Sequence, residues 1–346
     1  MIGLLTALAG GLVRLDFRLP EATADLAMQH GPLMVCGFLG TVISLERAIA
    51  IGGAAYLAPV FTALTTASLL LGVGGLGTPP LLAVAGSMGL LATILVLLRR
   101  EPCLHLATMT IAVVAWVTGN VCWLLDLPLV LVTPWWATFL VLMIAGERLE
   151  LTRLLPARGN RRTTFLAIAV VLLAGIATTI VRFDAGTRIA GVGMLALAWW
   201  LFRHDIARRG VRERGLPRFI AICLLAGYAW LAAAGVLWIV LGGAETGPYR
   251  DAALHALFLG FVFGMIFAHA PVIFPAVLGR RFAYAPWFYA HVAVLQVTLV
   301  VRVASDLLGA REVQQWAGLG NVLAILLFAV VTATAVLRGG GRRPAT

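Results

Sequence analysis

The chain has 346 residues, 61% of them hydrophobic and only 12% charged, with a mean hydropathy of +0.99. Soluble domains carry about 25% charged residues, so the composition excludes one. The net charge is +11 and all 26 basic residues are arginine; these sit in loops between apolar runs, so they report membrane topology and argue against a nucleic-acid partner.

Apolar runs occupy 1–13, 26–50, 57–77, 80–98, 103–125, 128–146, 164–182, 187–202, 217–241, 252–278, 284–303 and 314–337. Most reach the ~20 residues that a helix needs to cross a bilayer. None shows the short alternating segments of a membrane barrel. The expected fold is all-α: one transmembrane domain, a bundle of about twelve helices with the lipid bilayer as its environment. The first run is short, which points either to a start upstream of Met1 or to a tilted half-helix.

Alternate loops differ in arginine content. One side carries Arg47, Arg99, Arg100, Arg148, Arg153, Arg158, Arg161 and Arg162, then the cluster Arg203–Arg218, then Arg280, Arg281, Arg338, Arg342 and Arg343. The other carries Arg14, Arg18, Arg182, Arg188, Arg250, Arg302 and Arg311. The richer side is expected to be cytoplasmic, with both termini inside, as in a bacterial inner membrane. FLGTVISLER (38–47) and FLVLMIAGER (139–148) form a weak internal repeat. It reads either as a transporter-like duplication or as Glu-Arg pairs snorkelling at helix ends. Gly72, Gly74, Gly75, Gly77, Pro79 and Pro80 predict a tight turn. Cys36, Cys103, Cys122 and Cys223 are scattered, without CxxC spacing, and read as packing residues.

Ionisable residues inside apolar runs default to function. His30 opens the second run, with Met34 one turn on. His255 lies near the same face of the membrane on the tenth run, so the two form a first candidate pair. His269 follows fourteen residues after His255, about 21 Å along an α-helix. His291 enters on the eleventh run, antiparallel to the tenth, and makes a second candidate pair with His269. Imidazole is a good ligand for haem iron, copper or zinc. Each histidine also has a plain reading as a hydrogen-bonding member of the bundle. Pro271 and Pro275 free the carbonyls of Phe267 and Pro271, and predict a kinked tenth helix. His105 and His204 read as interfacial, Asn120 and Gln296 as helix–helix glue, and Tyr284, Trp287 and Tyr289 as an interfacial belt. The sequence holds no Walker loop, HExxH or dinucleotide turn.

The segments HGPLMVCGF and HALFLGFVFGMIFAHAPVIFPAVLGR resemble the NnrS family. Those are twelve-helix bacterial inner-membrane proteins that bind haem and copper and are linked to nitric oxide stress. The resemblance runs through His30, His255, Met265, Ile266, Leu278, Gly279 and Arg280. HGPLM also resembles the segment of haem–copper oxidase main subunits whose histidine holds a low-spin haem. The further histidines of their binuclear centre have no counterpart here. The resemblance implies haem and copper, through His30 and His255; together with the pairs read above, the expectation is a b-type haem, with copper as a second metal, held by His30 with His255 or by His269 with His291, with Met34 on the face of His30. It further implies nitric oxide or a redox partner as the interacting species, in nitric oxide tolerance or membrane electron transfer. The alternatives from the residues alone are a proton-coupled small-molecule transporter and a cofactor-free structural subunit.

Overall fold

A computed structural model describes residues 1–19, 26–151, 160–279 and 282–339. Arg153, Arg158, Arg280, Arg281, Arg342 and Arg343, part of the topology argument, lie outside the described residues. The protein is an all-α, multi-pass membrane protein, and no strand occurs among the described residues. Its helices are α1 (Ile2–Arg14), α2 (Leu26–Ile51), α3 (Gly53–Leu71), α4 (Thr78–Arg100), α5 (Leu104–Leu124) and α6 (Leu129–Leu151), then α7 (Arg161–Thr178), α8 (Phe183–His204), α9 (Leu216–Leu241), α10 (Gly247–Pro275), α11 (Pro286–Leu308) and α12 (Arg311–Arg338). Eleven are long and apolar enough to cross a membrane, and α1, at 13 residues, is the short one. The predicted runs and these helices agree in number and order, because length and hydropathy alone set them.

The chain divides into two compact units, Met1–Glu147 and Arg148–Thr346. The punctuation is local. Gly72, Gly74 and Gly75 all take positive φ in the turn between α3 and α4, a backbone region that glycine enters without strain. Prolines then occupy the first turn of α4, where no helical donor is lost.

Polar side chains turn inward while large apolar ones stay exposed, as Leu64, Val170, Val240, Val297, Leu323 and Val330 do. That is the arrangement that lipid imposes, because an unpaired polar group in hydrocarbon costs several kcal/mol. In the first unit the hub is Asn120 on α5. Its amide donates to the Ala83 carbonyl and to Ser87 Oγ, both at 3.1 Å. Its Oδ1 accepts from Trp136 Nε1 at 2.9 Å and from Cys36 Sγ at 3.2 Å. One side chain therefore ties α5 to α2, α4 and α6. In the second unit Trp230 Nε1 donates to Gln296 Oε1 at 2.7 Å, joining α9 to α11. The glue role expected of Asn120 and Gln296 holds. Close backbone approach comes from small residues: a Cβ on Gly191 would lie 2.7 Å from the Gly235 carbonyl oxygen, so α8 and α9 meet there in near contact.

Two helices depart from α geometry. In α2, Leu33–Leu39 is π-helical, immediately after the internal Pro32. In α10, Ala256–Phe263 is π-helical, between α segments Gly247–His255 and Gly264–Leu278. Pro271 and Pro275, where the sequence predicts a kink, sit inside the α-helical segment Gly264–Leu278, beyond the π segment. π segments are rare and concentrate at functional sites.

Asn120→Ala leaves the buried Trp136 N–H, the Ser87 hydroxyl and the Ala83 carbonyl without this partner. It is expected to destabilise the protein by about 1–3 kcal/mol, read as a lower unfolding midpoint in detergent.

Candidate functional site

Of the five residues singled out in the sequence, two lie in the first unit. His30 sits near the start of α2, and its Nδ1 is 2.6 Å from the carbonyl of Ala7 on α1. A carbonyl only accepts, so Nδ1 carries the proton. Gly11 makes room for the ring: a Cβ there would be 3.2 Å from the imidazole carbon. Met34 packs beside the cluster of Ala7, Leu26, Leu33 and Leu69, as a core side chain does.

The other three lie in the second unit, two of them on α10. His255 closes the first α segment of that helix. Its Nδ1 lies 2.8 Å from the Asp251 carbonyl and 3.3 Å from Asp251 Oδ2. Arg302 of α11 donates from its terminal nitrogen to the same Oδ2 at 2.6 Å. The carboxylate is clamped between a guanidinium and an imidazole, Nδ1 of His255 holds the proton, and Nε2 keeps its lone pair. This is the arrangement in which a carboxylate fixes the tautomer of a ligating histidine.

His269, near the other end of α10, also has Nδ1 on a carbonyl one turn back, that of Met265 at 2.7 Å. Its Nε2 faces the Arg148 guanidinium at 3.4 Å and accepts from it. Arg148 itself is buried on Asp205, with bonds of 2.7 and 3.0 Å. Asp205 further accepts from Tyr228 Oη at 2.9 Å and from the Ala207 amide at 2.7 Å. Four donors thus satisfy one buried carboxylate.

His291 is 1% exposed and ringed by Phe219, Phe267, Phe288 and Phe328, with ring centroids 4.7–6.2 Å away. Neither of its nitrogens has a hydrogen-bond partner. Phe267 fills the side of α10 that meets His291, while His269, two residues on, engages Arg148. The fourteen-residue interval between His255 and His269 does not project as two heptads, because the intervening π turn closes a wider ring than an α turn.

His105, the second residue of α5, is buried, with Nε2 3.5 Å from Cys103 Sγ. The two Glu-Arg pairs are not snorkelling ends: Arg47 meets Glu147 at 2.7 Å, and Arg148 is held by Asp205 as above. Tyr284 and Tyr289 pack on Phe219.

Among the described residues no group of three or more His, Cys, Asp or Glu side chains is placed to hold a metal ion. A haem asks for less, namely one or two axial imidazoles. His255 fits that role on geometry: its proton is fixed on Nδ1, and its ring is partly exposed. His269 fits it less well, since a guanidinium occupies its lone pair.

The sequence matches a family profile over residues 1–337, described as a domain of unknown function. The chain belongs to the DUF8744 family. No curated protein matches it.

The partners of the histidines in this DUF8744 chain, Asp251, Arg302, Arg148, Asp205 and Tyr228, were not picked out as site residues from the sequence. Asp251 and His255 stand four apart on one helix, as do Arg302 and Asp306, and that spacing puts each pair on one face. The Arg148–Asp205 pair spans 57 residues and has no local signature.

Breaking a buried ion pair on one side leaves an uncompensated charge. Asp205→Ala is expected to cost about 3–5 kcal/mol, and Arg148→Met with Asp205→Leu to recover most of that loss. Denaturant unfolding of the detergent-solubilised variants checks the order.

Proposed function

We propose that this protein is a b-type haem protein of a bacterial cytoplasmic membrane, acting in membrane electron transfer or nitric oxide tolerance. His255 is the residue that would hold the haem. The observation that carries the reading is the Asp251 carboxylate and carbonyl on His255 Nδ1, which leave Nε2 as the ligating nitrogen. The resemblance of both histidine segments to the NnrS family points the same way. So does the π-helical segment that follows each of His30 and His255.

Haem, when bound, supplies one-electron chemistry. The chain's own residues do the rest. Asp251 orients the imidazole and fixes its tautomer. Arg302 holds Asp251 in place, and its buried Nε–H has no partner among the described residues. The arginine-rich loops orient the chain with its termini on the cytoplasmic side.

The test is an absorption spectrum of protein purified from haem-supplied cells, oxidised and dithionite-reduced. A Soret band with a sharp reduced α band is expected. It should be lost in His255→Ala and kept in His291→Phe. Asp251→Asn is expected to weaken haem affinity about 10–100-fold. A flat visible spectrum of the wild-type protein overturns the reading.

A further inference from the structure

Beside the His255 clamp lies a carboxyl group that the haem reading does not use. Asp306, on α11 one turn beyond Arg302, is 1% exposed. Its Oδ1 accepts from the amide of Gln314 on α12, and its Oδ2 is buried with no hydrogen-bond partner. A bare buried carboxylate oxygen is among the costliest groups a protein holds.

The charges around it do not balance. Two carboxylates, Asp251 and Asp306, share one buried guanidinium, that of Arg302, which is 6% exposed. Arg302 directs its terminal nitrogen to Asp251 at 2.6 Å, and its Nε is left buried and unbonded. His255 also donates to Asp251. From α12, Gln314 brings a neutral amide, and Arg311, exposed at the helix start, donates to Gln314 Oε1 at 2.6 Å. With His255 neutral, the buried set Asp251, Arg302 and Asp306 carries one negative charge too many. Asp306 is the member that lacks a cationic partner of its own.

We infer that Asp306 is a proton-binding site: its Oδ2 takes a proton from water and returns it, so that the carboxyl is neutral when the cluster is closed. Only the O–H bond of Asp306 forms and breaks, and the proton comes from and goes to solvent. The neighbouring Asp251 and His255 side chains are partly exposed, at 18% and 19%. The site lies at the arginine-poor ends of α10 and α11 and the start of α12. It takes up charge within apolar helices, which is the property that proton-linked membrane proteins need. The inference stands whether or not His255 carries haem.

Infrared spectroscopy of the purified full-length protein tests it. A carbonyl band of a neutral carboxylic acid, shifting on transfer to D2O, is expected near neutral pH in the wild type. It should vanish in Asp306→Asn and move in Asp306→Glu. Asp306→Asn, isosteric with the neutral acid, is expected to keep the wild-type unfolding midpoint at acidic pH. A carboxyl region unchanged by Asp306→Asn overturns the proposal. If Asp306→Asn fails to fold, an unmoved band in Asp306→Glu overturns it equally. The haem reading fails on a flat visible spectrum, which leaves the infrared result untouched.

Discussion

Hydrocarbon offers no hydrogen bonds, and this constraint organises the whole chain. Each polar group placed at membrane depth must find its partner inside the protein. The result is a small number of dense polar knots within apolar surroundings. Asn120 is the knot of the first unit, drawing an indole, a thiol, a hydroxyl and a carbonyl onto one amide. The second unit has two charged knots, Arg148 with Asp205, and Arg302 with Asp251. They differ in completeness. Asp205 is saturated by four donors, the mark of a structural fastening. The Arg302 knot leaves a donor and an acceptor oxygen buried and unanswered, and such incompleteness is what an exchanging ligand or proton exploits.

Helix α10 carries a histidine of each knot, His255 toward one end and His269 toward the other. Both imidazoles are tied at Nδ1 to a carbonyl four residues earlier on the same helix. Their tautomers are therefore fixed by their own helix, and their Nε2 atoms face other partners. His269 meets a guanidinium. His291, in contrast, is held by aromatic rings alone. Three histidines on neighbouring helices thus live in three chemically distinct surroundings.

Much of the fold was legible because it follows from one-dimensional quantities. Run length and hydropathy give the helices, and glycine clusters give the α3–α4 turn. The inward role of Asn120 and Gln296 follows from the penalty on unpaired amides. The candidate site was legible only in part. Histidines announce themselves within apolar runs, but their partners do not. Asp205 and Arg302 look like loop or helix-end charges until the fold brings them to Arg148 and Asp251. The π segments were hidden for a different reason. Hydropathy has no sensitivity to whether a helical turn closes on the fourth or the fifth residue, so any angular argument along α10 that assumes α geometry drifts after His255. Met34 stands one turn from His30, and the cluster of Ala7, Leu26, Leu33 and Leu69 uses it as packing.

The π segment of α10 bears on how this chain tolerates insertions and deletions. In a regular spanning helix, adding or removing a residue rotates everything beyond it to the wrong face, so length changes are confined to loops. A π turn is a place where the backbone already accommodates surplus length. Loss of one residue between Ala256 and Phe263 lets the helix relax toward the α form, and the stretch through His269 keeps its face. The same length change after Gly264 has no slack to draw on. Variation in the length of this helix is thus channelled to one stretch, directly beside His255.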